Sequence, residues 1–240
     1  MHSIKRRSQV PKVIGLIGSP KGARSNSRVI SDYLLSKLEE KGFEAETILV
    51  YPEHRKDPQI KGLIDKLDKA DLIALVFPLY IDSLPARLIR ALELISKHRK
   101  TRKVSKDQRF MAICQSGFPE SHQNNLALDM CRCFAGLSGF RWIGGLPIGA
   151  GAIAGEQNLE EAGGRVYFIR NALNIAVEAI SQGKEIPEEA KQAAAKLPIP
   201  AGLYRLIGNL SWKRRAKPYG HRKRDLHAQP YLEGSGDYHM

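Results

Sequence analysis

The sequence predicts an α/β protein in which an open, mostly parallel five-stranded sheet is doubly wound with helices on both faces. Short apolar runs alternate with segments whose apolar residues recur at helical spacing, and the alternation repeats five times along the chain. Several of the runs pass directly into clusters of Gly, Ser, Pro and Asp, as buried strands feeding loops do. Hydrophobic residues at 42% and charged residues at 26% give an ordinary globular composition, which excludes a disordered or fibrous chain. Each parallel strand needs a crossover connection, and the intervening helical segments supply it.

The elements follow in order. Val13–Gly18 is a first buried strand that ends in the turn Gly18-Ser19-Pro20-Lys21-Gly22. From Ser27 the period changes to that of a helix through Ile30, Tyr33, Leu34 and Leu38, with Gly42 as its stop. Glu44–Val50 alternates as a second strand, and Ile60, Leu63, Ile64 and Leu67 mark a second helix. Leu72–Phe77 is a third strand, Pro78–Leu84 a loop, and Pro85–Ser96 a helix before a basic linker. Phe110–Gln115 is a fourth strand, Ser116–Glu120 a loop, Gln123–Leu137 a helix, Arg141–Ile148 a fifth strand and Leu159–Gln182 a long helix. Pro187, Pro198 and Pro200 then punctuate two helical stretches, Glu188–Lys196 and Ala201–Lys217. Residues 1–183 are therefore expected to form the sheet domain. Residues 184–240 are expected to form an appended helical arm and basic tail, with Leu203, Leu206, Ile207, Leu210 and Trp212 available to pack on the core or on a second subunit.

No apolar run approaches the roughly 20 residues that span a bilayer, so no membrane span is expected. Lys5, Arg6 and Arg7 precede an apolar stretch too short for an export signal. Cys114, Cys131 and Cys133 cannot make a disulfide framework, and Cys131-x-Cys133 lacks the second pair of a structural zinc site, so a reducing, cytoplasmic setting without a metal is expected. The formal charge of +13 is local: residues 1–12, 97–109 and 213–224 hold 18 of the 38 Lys and Arg with one acid, Asp107, and the remainder has 20 basic against 24 acidic residues. Such clusters suit RNA, an anionic membrane surface or an acidic protein, and equally suit solvated loops and a helix face; nucleic acid is not the expected partner.

In an open doubly wound sheet, ligands bind beyond the carboxyl ends of the strands. Three loops arrive there. The first, from Ser19 to Ser27, sets Ser19, Lys21, Ser25, Asn26 and Ser27 ahead of a helix start, where unpaired N–H groups and partial positive charge suit a phosphomonoester. Plain capping by Ser25 or Ser27 is the alternative use of the same residues. The loop is neither the dinucleotide fingerprint nor a Walker loop. The second, Pro78-Leu79-Tyr80-Ile81-Asp82-Ser83-Leu84-Pro85, offers an apolar wall in Tyr80 and Ile81 for a flat ring; alternatively Leu79 and Tyr80 plug the sheet edge. The third, Ser116-Gly117-Phe118-Pro119-Glu120, has a Gly that admits close backbone approach and a Phe that, taken singly, reads as a core residue.

Together these stretches resemble the three FMN-contacting loops of flavodoxin-like NAD(P)H-dependent FMN reductases and related NAD(P)H oxidoreductases, over roughly residues 12–182. Trp212 and Asp225–Tyr231 resemble the tails of some members. The resemblance implies strand order 2-1-3-4-5, FMN phosphate held by Ser19, Lys21, Ser25, Asn26 and Ser27, and the ring held by Pro78, Leu79, Tyr80, Ile81, Asp82, Ser83, Ser116, Gly117, Phe118 and Pro119. It further implies hydride from NADH or NADPH, a small-molecule electron acceptor such as a quinone or free flavin, and a homodimer or homotetramer whose subunits complete each other's cleft. An electron carrier or redox sensor without substantial turnover is the other function compatible with it. Because the flavin carries the hard step, no catalytic residue is named; Asp82 and Glu120 are acids near the ring and His122 is a proton donor by position, and a structural role is the expected reading of each. Lys21 stands where relatives often carry a guanidinium, which keeps the charge and loses the bidentate grip. The three cysteines do not reproduce the multi-Cys motif of iron–sulfur relatives.

Overall fold

The computed structural model describes residues 10–50, 57–101, 107–155, 158–197, 199–220 and 225. Parts of the three basic segments (1–9, 102–106 and 221–224) and all but Asp225 of the Asp225–Tyr231 stretch lie outside the described residues. The chain divides into two compact units, Met1–Pro198 and Ile199–Met240.

In the first unit, strands β1 (Lys12–Ile17), β2 (Glu44–Leu49), β3 (Leu72–Pro78), β4 (Arg109–Gln115) and β5 (Arg141–Ile148) form one sheet of order β2-β1-β3-β4-β5. Every adjacent pair is parallel. The three central strands are apolar on both faces, as parallel strands covered on both sides must be. Successive side chains point to opposite faces, so Ile14 and Leu16, Ile73, Leu75 and Phe77, and Phe110, Ala112 and Cys114 share one face. They pack there with Ile64 and Leu67 of α2 (Asp57–Leu67), Leu88 and Ile95 of α3 (Ala86–Lys100), and Ala127 and Cys131 of α4 (Asn125–Leu137). The other face is covered by α1 (Asn26–Glu40) and α5 (Tyr167–Ser181), which are joined by a hydrogen bond from Tyr33 Oη to Asn174 Oδ1 at 3.0 Å.

Two predicted boundaries moved by four residues or more. The expected linker after Ser96 begins as helix: α3 runs on to Lys100, and its last turn holds Lys97, His98, Arg99 and Lys100, cations that favour the negative end of the helix dipole. Arg99 is buried rather than solvated. Its Nε donates to the Ser138 carbonyl at 2.7 Å, its Nη1 pairs with Asp68 at 2.6 Å, and its guanidinium lies 3.8 Å from the centroid of the Phe140 ring. Burial lowers the Arg99 pKa, and Asp68 opposes the shift. The expected helix from Leu159 begins only at Tyr167, after a 3-10 turn at Gly163–Val166, because two consecutive glycines make a poor first helical turn.

Residues beyond α5 continue the first unit. Ile186 N–H donates to the Ile143 carbonyl of β5 at 2.7 Å, and α6 (Glu188–Ala195) buries Ala190 and Ala194. The second unit contains α7 (Ala201–Ala216), none of whose residues is buried, and a short 3-10 turn, Lys217–Tyr219. No helix among the described residues is long and apolar enough to cross a membrane.

Candidate functional site

The carboxyl ends of β1, β3, β4 and β5 share one edge of the sheet, and the loops leaving them are tied into one hydrogen-bonded knot. Gly18 N–H donates to the Val76 carbonyl at 2.8 Å, which holds the first loop beside β3. Leu79 N–H donates to the Gln115 carbonyl at 2.8 Å, joining the second loop to the third. A fourth loop, after β5, closes the ring: Gly151 N–H donates to the Ser116 carbonyl at 2.7 Å, and Asn26 Nδ2 donates to the Gly151 carbonyl at 3.3 Å.

In the first loop the five expected phosphate residues divide by role. Ser25 is the N-cap of α1; its Oγ accepts from Arg28 N–H at 3.1 Å and donates to the Gly22 carbonyl at 2.7 Å. The Asn26 side chain is committed to Gly151. Ser19 is buried, with Lys21 N–H reaching its Oγ at 3.4 Å, and the Lys21 side chain is exposed. Ser27 differs from the other four: it is fully buried in the first turn of α1 and its hydroxyl, like those of Ser31 and Ser138, has no partner among the described residues. A buried hydroxyl without a partner is unusual, because leaving it unpaired costs about 1–3 kcal/mol.

The second loop is a tight hairpin. Tyr80 and Ser83 exchange backbone hydrogen bonds at 2.9 and 3.1 Å, and Ile81 and Asp82 between them have φ of 49° and 56°. Two positive φ values in succession define the type I′ geometry, normally filled by Asn-Gly. Asp tolerates that conformation; a β-branched Ile does not adopt it freely, and the strain is of order 1–3 kcal/mol. The strained side chain is also 98% exposed, and Tyr80 is 46% exposed, so Tyr80 does not simply plug the sheet edge. Leu79 is partly buried against the core, as the alternative reading of that residue expects.

The third loop is rigid underneath and open on top. Asn124, fully buried, donates through Nδ2 to the carbonyls of Ser121 at 3.0 Å and Ile148 at 3.2 Å, and accepts from Cys114 Sγ at 3.2 Å. Phe118, which alone reads as a core residue, is 57% exposed instead, because the Asn124 ties and an Ala150 N–H to Phe118 carbonyl bond at 2.6 Å hold its backbone outward. Gly117 is exposed beside it, whereas Ser116 and Pro119 are buried. Burial pushes the Cys114 thiol up, with Cys131 nearby adding to the shift, and burial alone pushes Cys131 up. Neither is a thiolate.

The spacing of the first three loops marked them in the sequence, but the fourth carried no such mark. Gly149 and Gly151 are there to let backbone approach the third loop: a Cβ at Gly149 would lie 2.5 Å from the Pro119 carbonyl oxygen, and one at Gly151 would lie 2.5 Å from Gln115 Oε1. Ala150 between them has φ 51°. Asn124 was missed because a buried amide looks like any other helix-start residue in one dimension; the paired Gly149 and Gly151 were the only signal of the fourth loop.

These residues fit FMN. An unpartnered buried hydroxyl in the first turn of a helix meets the needs of a phosphate, and exposed apolar groups on two adjoining loops meet those of a flat ring. Among the described residues no group of three or more His, Cys, Asp and Glu is placed to hold a metal ion.

The sequence profile described as NADPH-dependent FMN reductase matches residues 11–141, more than half of the chain. No curated protein matches. Among solved structures, the fold is similar to an FMN-dependent NADH-azoreductase from Bacillus anthracis in complex with FMN (14% identity, 71% of this chain and 99% of that one, TM-score 0.53). It is similar also to the apo form of the NADH:FMN oxidoreductase EMOB (15% identity, 75% and 94%, TM-score 0.53) and to the Trp repressor binding protein from Bacillus subtilis (13% identity, 68% and 98%, TM-score 0.51). At such identities the structural likeness establishes the flavodoxin-like fold, and the profile match establishes the lineage. The chain belongs to the NADPH-dependent FMN reductase family, with FMN as its cofactor and a reduced nicotinamide as its electron donor.

Proposed function

We propose that the loops after β1, β3 and β4 hold the FMN and that the fourth loop supports them, so that the chain passes electrons from NADH or NADPH to a planar small molecule of the quinone or free-flavin class. The observation that carries this reading is the Ser27 hydroxyl, buried and unpartnered at the amino end of α1 in a knot that joins all four loops. On this reading Ser27 and the first-turn N–H groups hold the phosphate, Ser25 and Asn26 hold the loop itself, and Lys21 supplies charge from the rim. Ile81, Tyr80 and Phe118 flank the ring, and their exposure leaves an apolar mouth suited to a flat acceptor. Bound there, the flavin supplies hydride acceptance and release, while the protein supplies position and a partly dry surface. Asp82, Glu120 and His122 take no role in this reading.

We also propose that two copies pair through α3 and α4. A groove of about 650 Å³ between these helices is lined by apolar residues including Leu92, Met130, Phe134 and Leu137. It adjoins the second loop, since Ser83 Oγ lies 3.6 Å from Met130 Sδ. Leu126 and Leu137 are exposed at its edges, the kind of apolar patch that marks an interface. Three unpaired cysteines, two of them buried, favour the cytoplasm.

Freshly purified protein is expected to show flavin absorbance that bleaches on anaerobic addition of NADH or NADPH and returns on addition of a quinone or free flavin. A colourless protein that shows no saturable FMN binding refutes the site. A yellow protein that bleaches far more slowly than any acceptor reoxidises it turns the reading to an electron carrier.

A further inference from the structure

We propose that the Gln115 side chain is a further flavin-holding group, one that binds the hydroxyls of the ribityl chain between the ring and the phosphate; this rests on the reading that the four-loop knot holds FMN. Gln115 is the last residue of β4 and stands in register with Pro78 of β3 and Ile148 of β5 at the carboxyl edge of the sheet. Its backbone carbonyl is committed, accepting from Leu79 N–H at 2.8 Å. Its side chain is not: Gln115 is only 7% exposed, and its amide makes no hydrogen bond among the described residues. An amide carries an acceptor and two donors, and burying them unused is costly. Side chains alternate along a strand, so Gln115 lies on the face opposite Cys114, the face covered by α1 and α5. There its Oε1 lies against Gly151, where a Cβ would come within 2.5 Å of it. Gly151 is also the residue whose carbonyl accepts from Asn26 Nδ2 at 3.3 Å, and Ser27, whose hydroxyl is unpartnered too, follows Asn26 in the chain. Two uncommitted, buried polar groups therefore flank one tie between α1 and the fourth loop.

The chemistry of the two groups separates what they hold. An ionised phosphate accepts hydrogen bonds, and a serine hydroxyl with first-turn N–H groups supplies donors alone. A hydroxyl of a sugar-alcohol chain both donates and accepts, as a primary amide does, so both ends of the Gln115 amide find use against neighbouring ribityl hydroxyls. The pyrimidine edge of the flavin ring also offers donor and acceptor. On the reading above, however, the ring lies between the second and third loops, whereas Gln115 Oε1 lies against the fourth. Gly151 clears the space the amide occupies.

The test titrates three flavins into the full chain freed of bound flavin and follows the quenching of flavin fluorescence: FMN, riboflavin, which lacks the phosphate, and lumiflavin, which lacks the ribityl chain as well. Gln115→Leu is expected to weaken FMN and riboflavin alike, by roughly three- to tenfold, the worth of a neutral hydrogen bond, and to leave lumiflavin unchanged. Gln115→Met, which keeps the length of the side chain and drops its hydrogen bonds, should repeat that pattern. Ser27→Ala is expected to weaken FMN alone. Denaturant melts of the flavin-free Gln115 variants should show no loss of stability, because apolar atoms replace an unpartnered amide. Gln115 variants that bind all three flavins as wild type does overturn the proposal. So does an equal loss for lumiflavin, which would put the amide at the ring, and so does a loss of flavin-free stability in both variants, which would make the side chain a structural one. If Ser27→Ala weakens FMN while the Gln115 variants do not, this proposal alone fails; if wild type binds no flavin, the reading of the four-loop knot fails with it.

Discussion

At the scale of single residues, two serines two positions apart do opposite work. Ser25 caps α1 and has both of its hydrogen-bonding roles filled by the chain, whereas Ser27 has none filled. Ser25→Ala should therefore lower the stability of the flavin-free protein by about 1 kcal/mol. Ser27→Ala should leave that stability unchanged or slightly raised, because a methyl group removes an unpaired polar atom from an apolar site. If Ser27 holds the phosphate, its loss should weaken FMN binding by about tenfold, the worth of one hydrogen bond to a charged group. Denaturant melts of the flavin-free forms, together with FMN titrations, separate the two effects. Equal FMN affinity for Ser27→Ala and wild type would remove Ser27 from the site. Both serines were legible as a helix start, but which one was spoken for depended on where Gly22 and Arg28 lie in space.

At the scale of elements, the hairpin after β3 stores strain in an exposed position. Replacing Ile81-Asp82 with Asn-Gly supplies the residues a type I′ turn prefers and should stabilise the flavin-free protein by about 1–2 kcal/mol. If Ile81 flanks the ring, as proposed, the same change removes an apolar wall, and FMN should bind more weakly even as the fold gains stability. A double substitution that destabilised the protein would mean that Ile81 is held by packing rather than strained. The helices and strands themselves were legible because each carries its period in the sequence. The boundaries at Ser96 and Leu159 were not, since Arg99 continues its helix by finding Asp68 and the Ser138 carbonyl, both remote in sequence.

At the scale of the whole molecule, the α3–α4 groove adjoins the second loop, so if two copies pair through the groove and that loop holds the ring, as proposed, pairing and flavin retention should fail together. Leu126→Glu with Leu137→Glu is expected to convert a dimer to a monomer in sedimentation velocity and to lower FMN occupancy at the same time. Neither side chain belongs to the buried core, so the fold should survive the change. A monomeric wild type, or a monomeric variant with full occupancy, would disconnect the two.

The sequence by itself determined the sheet, its five strands and the three loops at its carboxyl edge, because hydrophobic periodicity and turn chemistry are local properties that survive in one dimension. It placed the basic segments without telling which cations turn inward. Only the tertiary structure decided that Arg99 is a core residue, that Phe118 is not, that Asn124 pins the third loop, and that Gly149 and Gly151 bring a fourth loop against it. Each of those depends on contacts between segments far apart in the chain. Burial, partnering and close approach are relations between such segments, and no local pattern encodes them.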